Sequence, residues 1–278
     1  MPKPPHRHTT RRGARALLLY AALALPSTGC ATQSESQPVA ERPSPTRRVL
    51  IITGEDYAGH AWRETTPVLE AAIEADARLE VDVFQDLAAL SRKDLKPYAA
   101  VLLHFKNYDP AVPGRQAFDA LNDYVDEGGG LLLAHFACGA FEEFKGDFEA
   151  LAGRVWFGEQ PPPGRAQHDP YGEFTVHFTD TAHPVTRELS DFTTSDELYT
   201  CLEGESPVEV LAEAVSNRDG KRYPLAFALQ RGKGRVFHCV LGHDPAALSV
   251  DGVGQLYRRA AAWAAGLDPD GLTSEQDH

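Results

Sequence analysis

The chain has 278 residues, 42% of them hydrophobic and 24% charged, which suits one large globular domain with a core of ordinary size. Its formal net charge of -13 repels phosphate backbones and anionic headgroups, so neither nucleic acid nor a bare membrane surface is an expected partner.

Residues 1–29 read as an export signal peptide. Lys3, Arg7, Arg11, Arg12 and Arg15 give a basic start, and Ala16 to Leu25 follow as an apolar run. That run is too short for a membrane-spanning helix, which needs about 20 residues, and fits the apolar region of a leader. Pro26-Ser27-Thr28-Gly29-Cys30 resembles a bacterial lipoprotein cleavage site, with Ser27 where leucine is usual. The expectation is a bacterial protein that is periplasmic or anchored as a lipoprotein, with membrane contact only through a lipid on Cys30. Residues 30–46, rich in Ser, Pro, Gln, Thr and Glu, read as a disordered tether. The folded domain is expected over 47–268, followed by a disordered tail at 269–278.

Val49 to Thr53 is a continuous apolar run, as expected for a strand buried on both faces. Trp62 to Ala75 has helical spacing, with Val68, Leu69, Ala72 and Ile73 on one stripe. Strands follow at Leu79–Phe84, Ala99–Phe105 and Leu131–His135. A short helical segment near 87–95 and a helix over Arg115–Asp126 separate them, the latter ending at Gly128-Gly129-Gly130. This alternation predicts βαβ units and a doubly wound, three-layer α/β domain on a mostly parallel sheet.

The second half changes rhythm. Phe174–Phe178, Glu197–Leu202, Val208–Ala214, Leu225–Leu229 and Val236–Leu241 read as strands joined by short turns. The last two are expected to form a hairpin around a four-residue loop, Arg231–Gly234. A helix over 253–265 closes the fold. This half is expected to extend the same sheet in antiparallel fashion, within one domain. Cys138, Cys201 and Cys239 do not form a disulfide framework. Cys201 and Cys239 read as small core residues, with a bridge between them possible in an oxidising compartment.

In open α/β sheets ligands bind beyond the carboxyl ends of the strands. That filter selects Asp56, Tyr57 and His60 after the first strand, and Lys106, Asn107 and Asp109 after the third. It also selects His135 at the end of the fourth, and Gly242, His243 and Asp244 after the last. His168, in a proline-rich loop at 158–172, is expected to reach the same rim. Asp196 and Glu197, read as lying just before a strand, add carboxylates. Neutral imidazoles with a carboxylate suit zinc or a similar divalent metal. The scattered spacing lacks the i, i+4 histidine pair of a zinc protease helix, so His60, His135, His168 and His243 are candidates by position only.

His104, His177 and His238 read as core histidines, and His183 before Pro184 as a turn former. Cys138 sits past the apex of the strand-to-helix turn and reads as a buried structural thiol. There is no Gly-x-Gly-x-x-Gly after the first strand, so no nucleotide cofactor is expected.

Several short pieces then run in order along 47–267. They are Thr53-Gly54 with His60-Ala61-Trp62, the triple glycine with His135, Leu151-Ala152-Gly153, and His168. Phe174-Thr175-Val176, His183-Pro184 and Asp196-Glu197-Leu198-Tyr199 follow. Gly232-Lys233-Gly234-Arg235-Val236-Phe237, Leu241-Gly242-His243-Asp244 and Trp263 complete them. Together they resemble the ThuA-like family, named for trehalose utilisation. The resemblance implies a flavodoxin-like sandwich similar to class I glutamine amidotransferases, a link to carbohydrate metabolism, and frequent export. It places His135 at the position of the amidotransferase nucleophile, so glutaminase chemistry is not expected. The proline-rich loop at 158–167 departs from relatives, which often carry glycine and histidine there.

Two functions follow as expectations. One is an enzyme, a hydrolase or isomerase, acting on a small carbohydrate. In it His60, His135, Glu197 and Asp196 are catalytic. Tyr57, Trp62, Asn107 and Asp244 bind substrate, and His60, His135, His168 and His243 hold a divalent metal. Trp156 joins Tyr57 and Trp62 as a candidate to stack on a sugar face. The other is a non-catalytic carbohydrate-binding or surface-assembly module. Convergence of the histidines within about 4–6 Å favours the first, and scatter over the rim favours the second. The sequence leaves the oligomeric state open.

Overall fold

A computed structural model describes residues 46–106, 112–156, 167–200 and 202–271. The leader, Cys30, Asn107, Asp109, Cys201 and most of the proline-rich loop lie outside the described residues. The described residues belong to one compact unit.

Five parallel strands form one side of the sheet: β1 (Arg47–Ile52), β2 (Leu79–Phe84), β3 (Ala100–Leu103), β4 (Gly130–Ala134) and β11 (Gly234–Cys239). Four more continue it: β6 (Gly172–Phe178), β7 (Phe192–Asp196), β9 (Glu209–Val215) and β10 (Arg222–Arg231). The nine-stranded order is β2-β1-β3-β4-β11-β10-β9-β6-β7, antiparallel from the β11–β10 pair outward. The parallel part is therefore flavodoxin-like, with its switch point between β1 and β3.

Helices cover both faces, as the alternation of strands and helices requires. Val49 and Ile51 of β1 face one layer with Leu69 and Ile73 of α1 (Trp62–Glu74) and Leu256 and Tyr257 of α5 (Asp251–Ala264). Leu50 and Ile52 face the other, with Phe118 and Leu121 of α2 (Arg115–Asp126) and Phe148 of α3 (Lys145–Ala152). All four β1 residues are fully buried, which is why the segment is apolar without alternation. Each such side chain contributes about 1.5–3 kcal/mol of burial free energy. No helix among the described residues is long and apolar enough to cross a membrane.

Four readings are corrected. The strand expected at 197–202 lies earlier, as β7. Its inward positions include Thr194 and Asp196, polar residues that hide the strand signature. Consequently Asp196 ends a strand and Glu197 leaves it, rather than both preceding one. Residues 202–203 form only a short strand, β8 (Leu202–Glu203), paired with β5 (Val155–Trp156). The hairpin is tighter than expected: Arg231 pairs with Gly234, so only Gly232 and Lys233 turn the chain. Gly232 has φ +54, in the left-handed region such turns demand. Finally, His177 is not a core residue; its half-exposed ring pairs with Asp191 at 2.7 Å.

Candidate metal centre

Four segments deliver side chains to the carboxyl end of the parallel sheet. The first leaves β1 through Gly54, whose φ of +123 carries no side chain; a Cβ there would collide with the Gln85 carbonyl. The loop is then pinned to α1, because the buried Trp62 donates its Nε1–H to Asp56 at 2.7 Å. His60 hangs from this loop and stacks on Phe136, with centroids 4.3 Å apart.

The second segment is the exit from β4. His135 has φ +46, an uncommon left-handed conformation for a residue with a side chain, and opens a 3-10 turn, His135–Gly139. It follows β4 rather than ending it. Its Nδ1 lies 2.7 Å from the Val240 carbonyl oxygen. A carbonyl only accepts, so Nδ1 carries the proton and Nε2 presents its lone pair to the cleft. Nε2 sits 3.0 Å from Tyr199 Oη and 3.8 Å from Glu197 Oε2.

The third and fourth segments are tied together by one buried carboxylate. Asp196 is fully buried and accepts from the N–H groups of Glu197 at 2.8 Å, Gly242 at 2.6 Å and His243 at 3.2 Å. It thus holds the exit of β7, which bears Glu197, against the loop after β11, which bears His243. Nδ1 of His243 approaches Glu197 Oε2 to 3.2 Å, as an ion pair off the line of a straight hydrogen bond.

The result is a cluster of His60, His135, Glu197 and His243 in which one ligand atom from each lies within 4.8 Å of the others. A tetrahedral ion bound at about 2.1 Å sets its ligands about 3.4 Å apart. The observed separations approach that spacing, and three imidazoles with one carboxylate are a fitting donor set for zinc or a similar divalent ion. The His135 Nδ1–H bond to a backbone carbonyl is the outer contact that commonly orients a metal-binding imidazole.

The electrostatics suit ligand duty. Burial, with the neighbouring charges of His135 and His243, pushes His60 down to about 2. Burial likewise pushes His135 down to about 3, so both rings are neutral near pH 7. Glu197 raises the pKa of His243 above its ordinary value. Burial pushes the Glu197 carboxyl upward, but His243, His168 and His60 outweigh it and leave it below its ordinary value. Asp196 is raised by burial to about 6, despite its three backbone donors.

The remaining candidates take other places. His168 stands at the rim, about one-third exposed, with Nδ1 3.7 Å from Glu197 Oε1. Tyr57 is 49% exposed beside His60, with ring centroids 5.6 Å apart. Trp62 is buried, with the Arg63 guanidinium 4.2 Å over its ring. Asp244 caps α4 (Pro245–Leu248) by accepting from Ala247 N–H at 2.8 Å, and also takes the Tyr171 hydroxyl. Cys138 is buried, with its thiol pushed up to about 12 by burial. Cys239 is a buried thiol as well. His104 is buried with Nε2 2.8 Å from Thr65 Oγ1, and His238 is buried against Phe227. His183 shapes its turn as expected, accepting the Val185 N–H on Nδ1 at 3.2 Å.

Tyr199 is a cleft residue to which the sequence reading assigns no role. The available signal was alternation: in extended chain Glu197 and Tyr199, two apart, point the same way. With Trp156, whose ring meets Tyr199 at 4.9 Å, and Lys106, whose Nζ lies 5.5 Å over Trp156, it lines a cleft of about 220 Å³. Gln167, His168 and Tyr57 close its sides.

The family model described as trehalose utilisation, ThuA, matches residues 48–264. A putative ThuA-like protein from Parabacteroides merdae is 25% identical, with a TM-score of 0.70 over 84% of this chain and 94% of its own. Another, from Bacteroides uniformis, is 17% identical, with a TM-score of 0.60 over 84% and 98%. A β-galactosidase from Rahnella sp. R3 shares the fold at 14% identity and a TM-score of 0.53, over 80% of this chain but 32% of its own. Among proteins of curated function, none matches. With the family model spanning most of its folded length, the chain belongs to the ThuA family.

Proposed function

We propose that this protein is a metal-assisted enzyme that acts on a sugar or sugar derivative, by hydrolysis or isomerisation. The observation that carries the reading is the convergence of His60, His135, Glu197 and His243, from four separate segments, within 4.8 Å. A module that only binds carbohydrate has no need to gather ionisable groups this closely. The four residues would hold a divalent ion such as zinc. When bound, such an ion supplies a Lewis acid that polarises a carbonyl or hydroxyl group.

The chain's own residues supply the rest. His168 is held at the rim by its Nδ1–H, which donates to the Asp169 carbonyl oxygen at 2.7 Å, so the proton carrier facing the cleft is the Glu197 carboxylate. Trp156 and Tyr57 give the cleft ring faces suited to the apolar side of a sugar, and Lys106 and Gln167 give it polar partners for hydroxyl groups. The cleft volume of about 220 Å³ suits a single sugar unit. The family description, trehalose utilisation, supports the substrate class. The leader-like residues 1–29 and Cys30 support a site of action outside the cytoplasm, periplasmic or lipid-anchored.

Elemental analysis of protein purified without chelator tests the reading, alongside His135→Asn and Glu197→Gln. Asparagine tolerates the left-handed backbone at 135, so loss of metal there is separable from misfolding by circular dichroism. About one divalent ion per wild-type chain, reduced in both folded variants, supports the reading. Absence of metal after incubation with zinc, manganese or cobalt would sink it.

A further inference from the structure

We infer that the Tyr199 hydroxyl and the metal compete for one lone pair, Nε2 of His135, so that metal loading displaces the phenol from the imidazole and turns its hydroxyl to the cleft. The inference rests on the metal-centre reading above and adds a residue to it.

His135 has a single basic atom. Its Nδ1 proton is committed to the Val240 carbonyl oxygen at 2.7 Å, so only Nε2 can accept. Tyr199 Oη lies 3.0 Å from that atom and therefore donates to it. A ligand bond to a divalent ion uses the same lone pair, so the two interactions exclude each other. The contact is held from both sides. His135 is fully buried and Tyr199 is 3% exposed. The Tyr199 ring packs against His135 with centroids 4.7 Å apart and against Trp156 at 4.9 Å. Oη at 3.0 Å from Nε2 stands in the path of an ion bound at about 2.1 Å, so loading requires a shift of the phenol as well as rotation of its hydroxyl. Tyr199 lines the cleft beside Glu197 and His168, so the redirected hydroxyl faces the space where a substrate hydroxyl would lie.

Replacing Tyr199 by phenylalanine keeps the packed ring and removes the competitor. Nε2 of the variant then loses its 3.0 Å donor, and its contact with Glu197 Oε2 at 3.8 Å, an acceptor, does not replace it. A buried acceptor left without its hydrogen bond raises the free energy of the metal-free protein, and metal binding relieves it.

The test is zinc titration of wild type and Tyr199→Phe by competition with a chromophoric chelator, with near-ultraviolet difference spectra recorded on the same samples. The expected result is that Tyr199→Phe binds zinc about five- to tenfold more tightly, the fold-change that one net hydrogen bond corresponds to. Wild type should also show a zinc-induced tyrosine difference band that is diminished in the variant. Equal or weaker zinc affinity of a folded Tyr199→Phe would overturn the inference while leaving the metal centre standing. Failure of both proteins to bind zinc would instead bring down the metal-centre reading, and this inference with it.

Discussion

The carboxylate of Asp196 accepts the backbone N–H of His243 at 3.2 Å, while the side chain of that histidine turns to Glu197, the residue next to Asp196. One buried anion thereby fixes two cleft residues whose own side chains it does not touch. Asp196 is a positioning residue, and its replacement should act through the two loops it joins.

Asp196→Asn puts an amide donor where the Gly242 or His243 N–H needs an acceptor. Hydrogen bonds to a charged group contribute about 1.5–3 kcal/mol each, and a donor facing a donor loses at least one of them. The variant should be less stable by about 2–3 kcal/mol in urea unfolding, and the folded fraction should bind zinc more weakly. Unchanged zinc affinity would mean that the loops hold their places without Asp196.

Metal binding should depend on pH through a single histidine. His60 and His135 are pushed down to about 2 and about 3 and carry no proton to be displaced near neutrality. His243 is raised by its ion pair with Glu197 and stays protonated to a higher pH than an ordinary imidazole. Zinc affinity should therefore rise with pH by about one proton's worth below the His243 pKa and flatten above it. Titrations from about pH 5 to about pH 8 check this, and a slope near three protons would contradict the neutral state of the other two rings.

Acid should weaken the fold for a related reason. Burial depresses His104 and His135 to about 3 and His238 to about 4. An unfolded histidine takes up a proton near 6.5, so as the pH falls below that value the unfolded chain gains protons that the folded chain refuses. Stability from these rings is full above about 6.5 and is lost as the pH falls toward their folded values. The loss is about 1.4 kcal/mol per pH unit for each ring at most. Urea midpoints at pH 7 and pH 5 measure it; a midpoint that does not fall would show that these rings protonate within the folded state.

Gly54→Ala should dislodge His60 from a distance. The residue has φ +123, and an added Cβ would meet the Gln85 carbonyl. The backbone must shift exactly where the loop to His60 begins, at a cost of about 2 kcal/mol or more. Thermal unfolding and zinc titration should both register the change. A variant that matches wild type in both would show that the loop is anchored by Trp62 and Asp56 alone.

Cys138 should be inert. Its thiol is buried and pushed up to about 12, so almost none of it is thiolate at neutral pH. Native protein treated with iodoacetamide should leave the Cys138 peptide unmodified in mass spectra, and Cys138→Ala should bind zinc as wild type does. Rapid alkylation of Cys138 in folded protein would show instead an accessible, reactive thiol at this turn.

The local elements were legible because their signals are local. Val49 to Ile52 is apolar on both faces, α1 and α2 repeat at helical spacing, and Gly128 to Gly130 marks the end of α2. β7 was not legible, since Thr194 and Asp196 fill inward positions that a hydrophobic pattern needs. His60, His135 and His243 could be placed at strand ends from sequence because a parallel sheet sends its carboxyl ends to one rim. Their convergence could not, and neither could the choice of Glu197 over Asp196 as the carboxylate facing them. Those depend on the strand order, on the bond from His135 Nδ1 to Val240 105 residues away, and on Asp196 turning inward to bind Gly242 and His243. Sequence alone determined which segments reach the rim, because periodicity and turn chemistry act between near neighbours. Only the tertiary structure decided which side chains meet there, because distances and lone-pair directions are set by contacts between segments far apart in the chain.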